Sequence, residues 1–219
     1  MGGRTLDATA RALQLVDYRQ RVAGMYRLAR ASDASPQERW ERFRAQRDEL
    51  FARHPCSPLA EDDRQRPEGV PYFPYDPAAR VLATAHDAPG EPLEVALRED
   101  GVLRLARLAW LSFELYGERL RLALYRLLGY GGGLFLPFHD RTAGERTYGG
   151  GRYLIDTLKH AELGVEHGKL VLDFNFAYHP SCAYSPRWDC PLAPPENRLE
   201  VAIRAGECLP TSGWAASRA

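Results

Sequence analysis

The chain has 219 residues, which is enough to bury a hydrophobic core without disulfides or metal. Its 29 basic and 29 acidic side chains cancel, so charge gives no reason to expect a nucleic-acid or anionic-membrane partner. No apolar run is long enough to span a bilayer, and the N-terminus lacks the pattern of a signal peptide. We therefore expect a cytoplasmic protein.

Residues 1–56 are predicted to form a helical hairpin. In the first helix, apolar residues recur at steps of three and four: Leu15, Tyr18, Val22, Met25 and Ala29. The second helix is predicted to begin at SPQE (35–38), in which Ser35 and Glu38 can form a capping box. Its apolar face carries Trp40, Phe43, Leu50 and Phe51, with Arg47 as the one charged member. Such a hairpin is marginal alone, so it must pack on the rest of the chain.

Residues 57–209 are predicted to form an antiparallel β domain, followed by a tail at 210–219. The hydrophobic period becomes two, and short strands are predicted in 81–85, 93–97, 103–115, 120–124, LFLPF, RYLI, KLVLDFN and RLEVAIRA (198–205). Asp100-Gly101 is predicted to close one of the hairpins. The fold class is thus α+β, mainly antiparallel β, with the helical hairpin packed on a β-sandwich or β-barrel-like domain.

The segment LPFHDRTAGERTYGGGRYL (136–154) concentrates charged residues around two turns. Asp140, Tyr148 and Arg152 fall within it, and the run 149–151 of three glycines allows close approach of the backbone to a partner. One interpretation is a pocket in which Arg152 holds a carboxylate or phosphate in a forked geometry. The other is a surface hairpin with solvated charges.

In the strand KLVLDFN, Asp173 and Asn175 lie on one face because side chains alternate along a strand. Both residue types are depleted in strands, so they need polar partners. Asp173 opposite Arg152 would satisfy both groups, either as a buried structural brace or as part of a site.

The proline-rich stretch after this strand, 176–198, contains Cys182 and Cys190, eight positions apart. With His179 they are weak candidates for a metal site, because zinc knuckles have shorter separations. A disulfide between them would be a redox device in a reducing compartment. Cys182 is also a candidate nucleophile. Against these stands the common role of a cytosolic cysteine, including Cys56 and Cys208, as a small buried hydrophobe.

The same stretch also contains large aromatic side chains. Tyr178, Tyr184 and Trp188 could form the floor of a ligand pocket or hold down a loop that lacks periodic structure. A long ordered loop is uncommon unless it is functional, and the prolines indicate a stiff path, which favours a site.

Four segments carry a family resemblance: HPCSPL (54–59), DRTAGERTYGGGRYL (140–154), LDFNFAYHPSCAYSPRWDCPLAPPENRL (172–199) and AGE (205–207). Together they resemble the bacterial and archaeal family catalogued as domain of unknown function 1684, over nearly the whole chain. The resemblance implies no activity. The positions that it marks as a site are Asp140, Thr142, Tyr148, Arg152, Asp173, Asn175, Tyr178, Cys182, Cys190 and Asn197.

Two hypotheses follow for these residues, and the sequence does not decide whether the chain is an enzyme. In the first, the 140–154 hairpin, the 171–175 strand and the 176–198 loop form a pocket for a small anionic ligand. Arg152 would hold the anionic group there, with Tyr148, Thr142, Asn175, Tyr178 and Asn197 as ligand contacts and Asp173, Cys182 and Asp140 as catalytic candidates. No cofactor is predicted.

In the second hypothesis, the same residues form a buried polar brace in a non-catalytic domain. The helical hairpin would then make a homodimer or another partner contact. A metal or thiol-redox site at Cys182 and Cys190 is the third alternative.

Overall fold

The computed structural model describes residues 8–66, 68–97, 101–129, 131–212 and Trp214. Three helices come first: α1 (Ala8–Arg30), α2 (Pro36–Arg53) and the short α3 (Glu61–Arg64). The predicted capping box is present at the start of α2, where Ser35 and Glu38 bond reciprocally. None of the helices in these residues is long and apolar enough to cross a membrane. Helices α1 and α2 confirm the predicted helical hairpin.

The strands form one antiparallel sheet that curls into a half-barrel. In the described ranges they are β1 (Arg80–Asp87), β2 (Pro92–Ala96), β3 (Val102–Leu115), β4 (Glu118–Leu127), β5 (Leu134–Phe138), β6 (Arg152–Asp156), β7 (Val165–Glu166) and β8 (Lys169–Asp173). Their order is β6-β5-β4-β3-β1-β8-β7, and β2 continues the line of β1 along β3. The α+β class with a mainly antiparallel sheet is confirmed. Asp100, in the predicted turn, lies outside the described residues.

The last predicted strand is wrong. Residues 198–205 alternate in hydrophobicity, yet they join the sheet through one isolated bridge, between Arg198 and His139. Their apolar side chains, Leu199, Ile203 and Ala205, are buried in the core under the sheet instead. Backbone bonds link the segment to the chain just after β5: the Leu199 amide donates to the His139 carbonyl at 2.7 Å, and the Arg141 amide donates to the Val201 carbonyl at 3.0 Å. The backbone of Ile203 bonds instead to the buried side chains of Asp140 and Arg152, so the pairing ends before the alternation does.

Two hydrophobic cores lie on opposite faces of the sheet, because alternate residues of β4 point into each. The hairpin packs on one of them, with Phe43 against Phe176 and Phe51 against Tyr184. Trp40 Nε1 donates to the Asn175 carbonyl at 2.8 Å. Since both parts of the chain share this core, the boundary at residue 56 stays a prediction.

The ends of the predicted regions are only partly described. Trp214, in the predicted tail, is buried against the Tyr184 ring, whereas residues 213 and 215–219 lie outside the described part. On the outer side of α1, Leu13 and Val16 are exposed. A homodimer contact through these helices stays a prediction.

Candidate functional site

Asp140 and Arg152, both predicted site residues, form a fully buried ion pair. Arg152 Nη2 donates to Asp140 Oδ1 at 3.2 Å and to the Ile203 carbonyl at 2.9 Å, and Nη1 donates to the carbonyls of Ala205 and Glu207. Burial lowers the pKa of Arg152, and Asp140 opposes that shift. The pair therefore ties β6 to the C-terminal segment that crosses the core.

The carboxylate of Asp140 is satisfied from all sides. Its Oδ2 accepts the Ile203 amide at 2.7 Å and the Thr142 hydroxyl at 2.9 Å, and Thr142 contacts the Thr147 hydroxyl at 3.0 Å. Gly151 approaches so closely that an added Cβ would lie 2.4 Å from the Phe138 carbonyl oxygen, with φ at +90°. The glycine run thus serves chain packing at this position.

The expected pairing of Asp173 with Arg152 is wrong. Asp173 ends β8, which lies near the other edge of the sheet from β6, and it is in register with Arg80 of β1. Its Oδ1 accepts hydrogen bonds from the backbone nitrogen and from Nδ2 of Asn175, at 3.0 and 2.9 Å. Asn175 in turn bonds both backbone groups of Asp76. The chain leaves the strand after Asp173 as a single helical turn, so strand alternation no longer decides where these side chains point.

Burial raises the pKa of Asp173 to about 6, against bonds from Asn175 that lower it. The folded chain therefore binds this proton more tightly than the unfolded chain, and stability falls as pH rises from about 4 to 6. We expect Asp173→Asn to raise the free energy of unfolding by on the order of 2 kcal/mol at pH 8, and by nearly nothing at pH 4. Urea titrations at both pH values, beside the exposed control Asp33→Asn, measure this. Destabilisation at pH 8 would contradict it.

Asn197 is another buried polar residue whose side chain is bonded to protein groups. Its side chain exchanges two bonds with the Ala123 backbone, at 2.7 and 2.9 Å, and donates to the Pro137 carbonyl at 2.6 Å. These bonds join β4 and β5 at a place where the proline interrupts the ladder. Asn197 is therefore bonded to β4 and β5 and is not among the residues that line the groove with the cysteines.

Sequence reasoning did not assign Glu207 to the site, although this carboxylate is fully buried. Arg47 Nε donates to its Oε1 at 2.6 Å, the His179 amide donates to Oε2 at 2.7 Å, and the hydroxyls of Tyr72 and Tyr184 add two more bonds. Burial opposes ionisation, but Arg47 holds the pKa of Glu207 below its ordinary value. The signal in the sequence was Arg47, the lone charge on an apolar helix face.

The two cysteines of the loop line an open groove of about 680 Å³ beside β2. The Cys182 amide donates to Cys190 Sγ at 3.3 Å, and Cys182 Sγ lies 3.7 Å from the Tyr148 hydroxyl. Tyr148 lines the same groove, together with Trp188, Leu192 and residues 93–97. The structure thus brings Tyr148, Cys182 and Cys190 together, apart from Arg152 and Asp173.

The two thiols differ in acidity because one donates to the other. The hydrogen bond from Cys182 lowers the pKa of Cys190 to about 7, with backbone N–H groups and Lys159 contributing in the same direction. The same bond raises the pKa of Cys182. A thiolate on Cys190 is therefore stabilised, whereas Cys182 is the thiol that keeps its proton. Both are free thiols.

Tyr178 and His179 lie on another side of the loop, facing α1 and α2 across a small cavity. His179 is buried, and burial lowers its pKa to about 4. Among the described residues, no group of three or more histidines, cysteines and acids could hold a metal ion.

This α+β half-barrel, with a thiol pair in an open groove, belongs to a family that is defined by its sequence. The family model described as protein of unknown function (DUF1684) matches residues 66–208, and the chain is a member of that family. The resemblance expected from the sequence is confirmed. The match begins beyond HPCSPL (54–59), so that segment and the helical hairpin lie outside it.

A solved structure supports the fold. It is the uncharacterized protein from gene locus rrnAC0354 of Haloarcula marismortui, determined by solution NMR. That protein is 37% identical to this chain, the match covers 78% of this chain and 93% of that chain, and the TM-score is 0.56. A search of the curated proteins finds no match.

Proposed function

We propose that the chain performs thiol–disulfide exchange in the groove, with Cys190 as the nucleophile and Cys182 as the second thiol. The observation that carries this proposal is the 3.3 Å hydrogen bond from the Cys182 amide to Cys190 Sγ. An amide aimed at sulfur stabilises a thiolate, and a thiolate is the species that attacks disulfides. The reducing cytoplasm is the compartment in which such a pair would be kept as a dithiol.

The reaction uses both sulfurs. The Cys190 thiolate attacks a substrate disulfide, whose S–S bond breaks as a mixed disulfide forms and one substrate thiolate leaves. That thiolate takes up a proton, and Cys182 loses its own proton to water. Cys182 then attacks the Cys190 sulfur and releases the second substrate thiolate. Two electrons pass to the substrate, and the chain is left with a Cys182–Cys190 disulfide.

The surroundings of the pair suit this chemistry. Lys159 adds positive charge near Cys190, which favours the thiolate. The Tyr148 hydroxyl lies 3.7 Å from Cys182 Sγ, and a hydrogen bond from it lowers the pKa of Cys182, which favours the thiolate that the second attack needs. The groove is lined largely by apolar side chains, among them Trp188 and Leu192, which would receive the body of a substrate.

We assign a different role to the predicted residues outside the groove. Asp140, Thr142, Arg152, Asp173, Asn175 and Asn197 are bonded to neighbouring protein groups. The terminal nitrogens Nη1 and Nη2 of Arg152 donate to Asp140 and to backbone carbonyls, whereas Nε is buried without a hydrogen-bond partner in the described residues. An anionic ligand would have to displace the C-terminal segment to reach Nη1 and Nη2. In this proposal these residues brace the domain that carries the groove.

The test begins with the acidity of each thiol in the full-length protein. Alkylation by iodoacetamide across pH, followed by peptide mass spectrometry, should show Cys190 reacting with a midpoint near pH 7. Ordinary thiols titrate near pH 8.5. Cys182→Ala removes the side-chain donor and should move the Cys190 midpoint upward, whereas Cys182→Ser keeps an O–H donor and should move it less. Cys56→Ser, outside the groove, should leave it unchanged.

The second arm measures exchange itself. In mixtures of reduced and oxidised glutathione, the wild type should form an intramolecular disulfide between Cys182 and Cys190. Cys182→Ser should stop at a mixed disulfide on Cys190, and Cys190→Ser should lose reaction with a small aromatic disulfide at pH 7. A Cys190 midpoint near pH 8.5, or no internal disulfide at any glutathione ratio, would overturn the proposal.

A further inference from the structure

A second cavity lies between the helical hairpin and the loop, away from the groove. Its volume is about 50 Å³. Helices α1 and α2 supply one wall and the loop supplies the other, and the polar residues that line it are Tyr18, Arg19, Tyr26, Arg47, Lys159, Tyr178, His179, Ser181 and Tyr184. It is therefore a polar cavity inside an otherwise apolar interface.

Two buried polar atoms of its lining residues have no hydrogen-bond partner within the described chain. They are the Tyr178 hydroxyl and His179 Nδ1. The side chain of Tyr178 is 7% exposed and that of His179 is 1% exposed. Leaving such groups unsatisfied is costly, so each calls for a partner that the protein itself does not provide.

Both groups are donors. His179 Nε2 accepts the Tyr148 amide at 3.2 Å, which leaves the proton of the neutral ring on Nδ1. Glu207 Oε2 lies 3.8 Å from Nδ1, beyond hydrogen-bond range. Burial raises the pKa of the Tyr178 hydroxyl, so it too keeps its proton. The missing partner must therefore accept hydrogen bonds.

Cations are the only charged residues that line the cavity, within the described part of the chain: Arg19, Arg47 and Lys159. Arg47 is paired with Glu207, which also lies 3.8 Å from His179 Nδ1, and Lys159 is paired with Asp156. An occupant with negative charge would meet cations and donors together.

The size of the cavity limits the occupant. A water molecule needs roughly 10 to 15 Å³ of such space, so about 50 Å³ holds on the order of four atoms. Formate and acetate have three and four non-hydrogen atoms. We propose that the cavity between the hairpin and the loop binds a small carboxylate, with the Tyr178 hydroxyl and His179 Nδ1 donating to its oxygens.

The experiment uses sodium acetate as the probe and follows the amide resonances of the 178–184 loop by NMR at constant ionic strength. The wild type should show saturable shifts and a rise in melting temperature, and sodium chloride at equal concentration should give neither. Tyr178→Phe keeps the ring and removes the donor, and it should weaken acetate binding about tenfold. Tyr125→Phe, whose hydroxyl bonds to Glu196 elsewhere, is the matched control and should bind as the wild type does.

Three results would overturn the proposal. Acetate could produce no saturable shift, which would mean that the cavity holds water only. Chloride could act as acetate does, which would mean a site without carboxylate geometry. Tyr178→Phe could bind acetate with unchanged affinity, which would mean that binding occurs elsewhere. None of these results bears on the thiol pair, because the cavity and the groove are lined by different residues.

Discussion

Replacing Arg47 by Met is expected to lower the free energy of unfolding by about 3 to 5 kcal/mol, because it leaves the Glu207 carboxylate buried without its cation. Arg47 is the only cation bonded to that carboxylate among the described residues, at 2.6 Å. Methionine retains an apolar stem of similar length. It loses the guanidinium that lies over the Phe51 ring, with Cζ 4.2 Å from the ring centroid, so the loss would report on the ion pair together with this stacking.

The stability lost in Arg47→Met should increase as pH rises. Without Arg47, burial would raise the pKa of Glu207 above its unfolded value, and the folded variant would bind this proton more tightly than the unfolded chain. Stability of the variant should thus fall as pH rises, and the difference from the wild type should be larger at pH 8 than at pH 5. Urea titrations at the two pH values measure it.

Two control variants separate the pair from its surroundings. Arg42→Met, on the same helix, removes only an exposed pair with Asp33 and should change stability by less than about 0.5 kcal/mol. Arg47→Met combined with Glu207→Gln removes both charges and should recover part of the loss. Equal losses in Arg42→Met and Arg47→Met would contradict the role given to Glu207.

Arg152→Met is expected to destabilise the fold by a similar amount, about 3 to 5 kcal/mol. The substitution removes the cation bonded to Asp140 and leaves the carbonyls of Ile203, Ala205 and Glu207 without their shared donor. Because the C-terminal segment is held through this guanidinium, protection of its amides from hydrogen exchange should fall first.

The neighbouring Arg141 provides the matched control. Its pair with Glu200 is exposed on both sides, so Arg141→Met should be nearly neutral. A folded Arg152→Met variant with wild-type stability would contradict the brace and would return Arg152 to the predicted role of holding a ligand. Asp140→Asn should also destabilise, since the buried arginine would lose its counter-ion.

Several local elements could be predicted because their causes are local. The capping box at Ser35 and the alternation along β3 depend on neighbours a few residues away. In α1 the predicted stripe is buried at Val22, Met25 and Ala29, whereas Leu15 is exposed. Residues 198–205 show the limit of that reasoning. Alternation reports which side chains are buried, but hydrogen-bond pairing depends on whether another strand is available, which the segment itself does not encode.

Prediction of the candidate site met the same limit, because it depended on which residues the fold brings together. The sequence pointed to the right residue types, and the family resemblance marked Tyr148, Cys182 and Cys190, which do meet in one groove. The same marking covered Asp140, Arg152, Asp173 and Asn197, which lie in buried braces at different places. Residue type shows that a polar group needs a partner, but it does not show whether that partner is protein or ligand.

By itself the sequence determined the helical hairpin, most of the strands, the family and the need to satisfy several polar residues inside the domain. Only the tertiary structure decided the partners: Arg47 reaches Glu207 across 160 residues, and Arg152 takes Asp140 rather than Asp173. The physical reason is range. Helix caps and strand alternation depend on local geometry, whereas a buried charge is neutralised by whichever opposite charge the completed fold brings within a few ångströms.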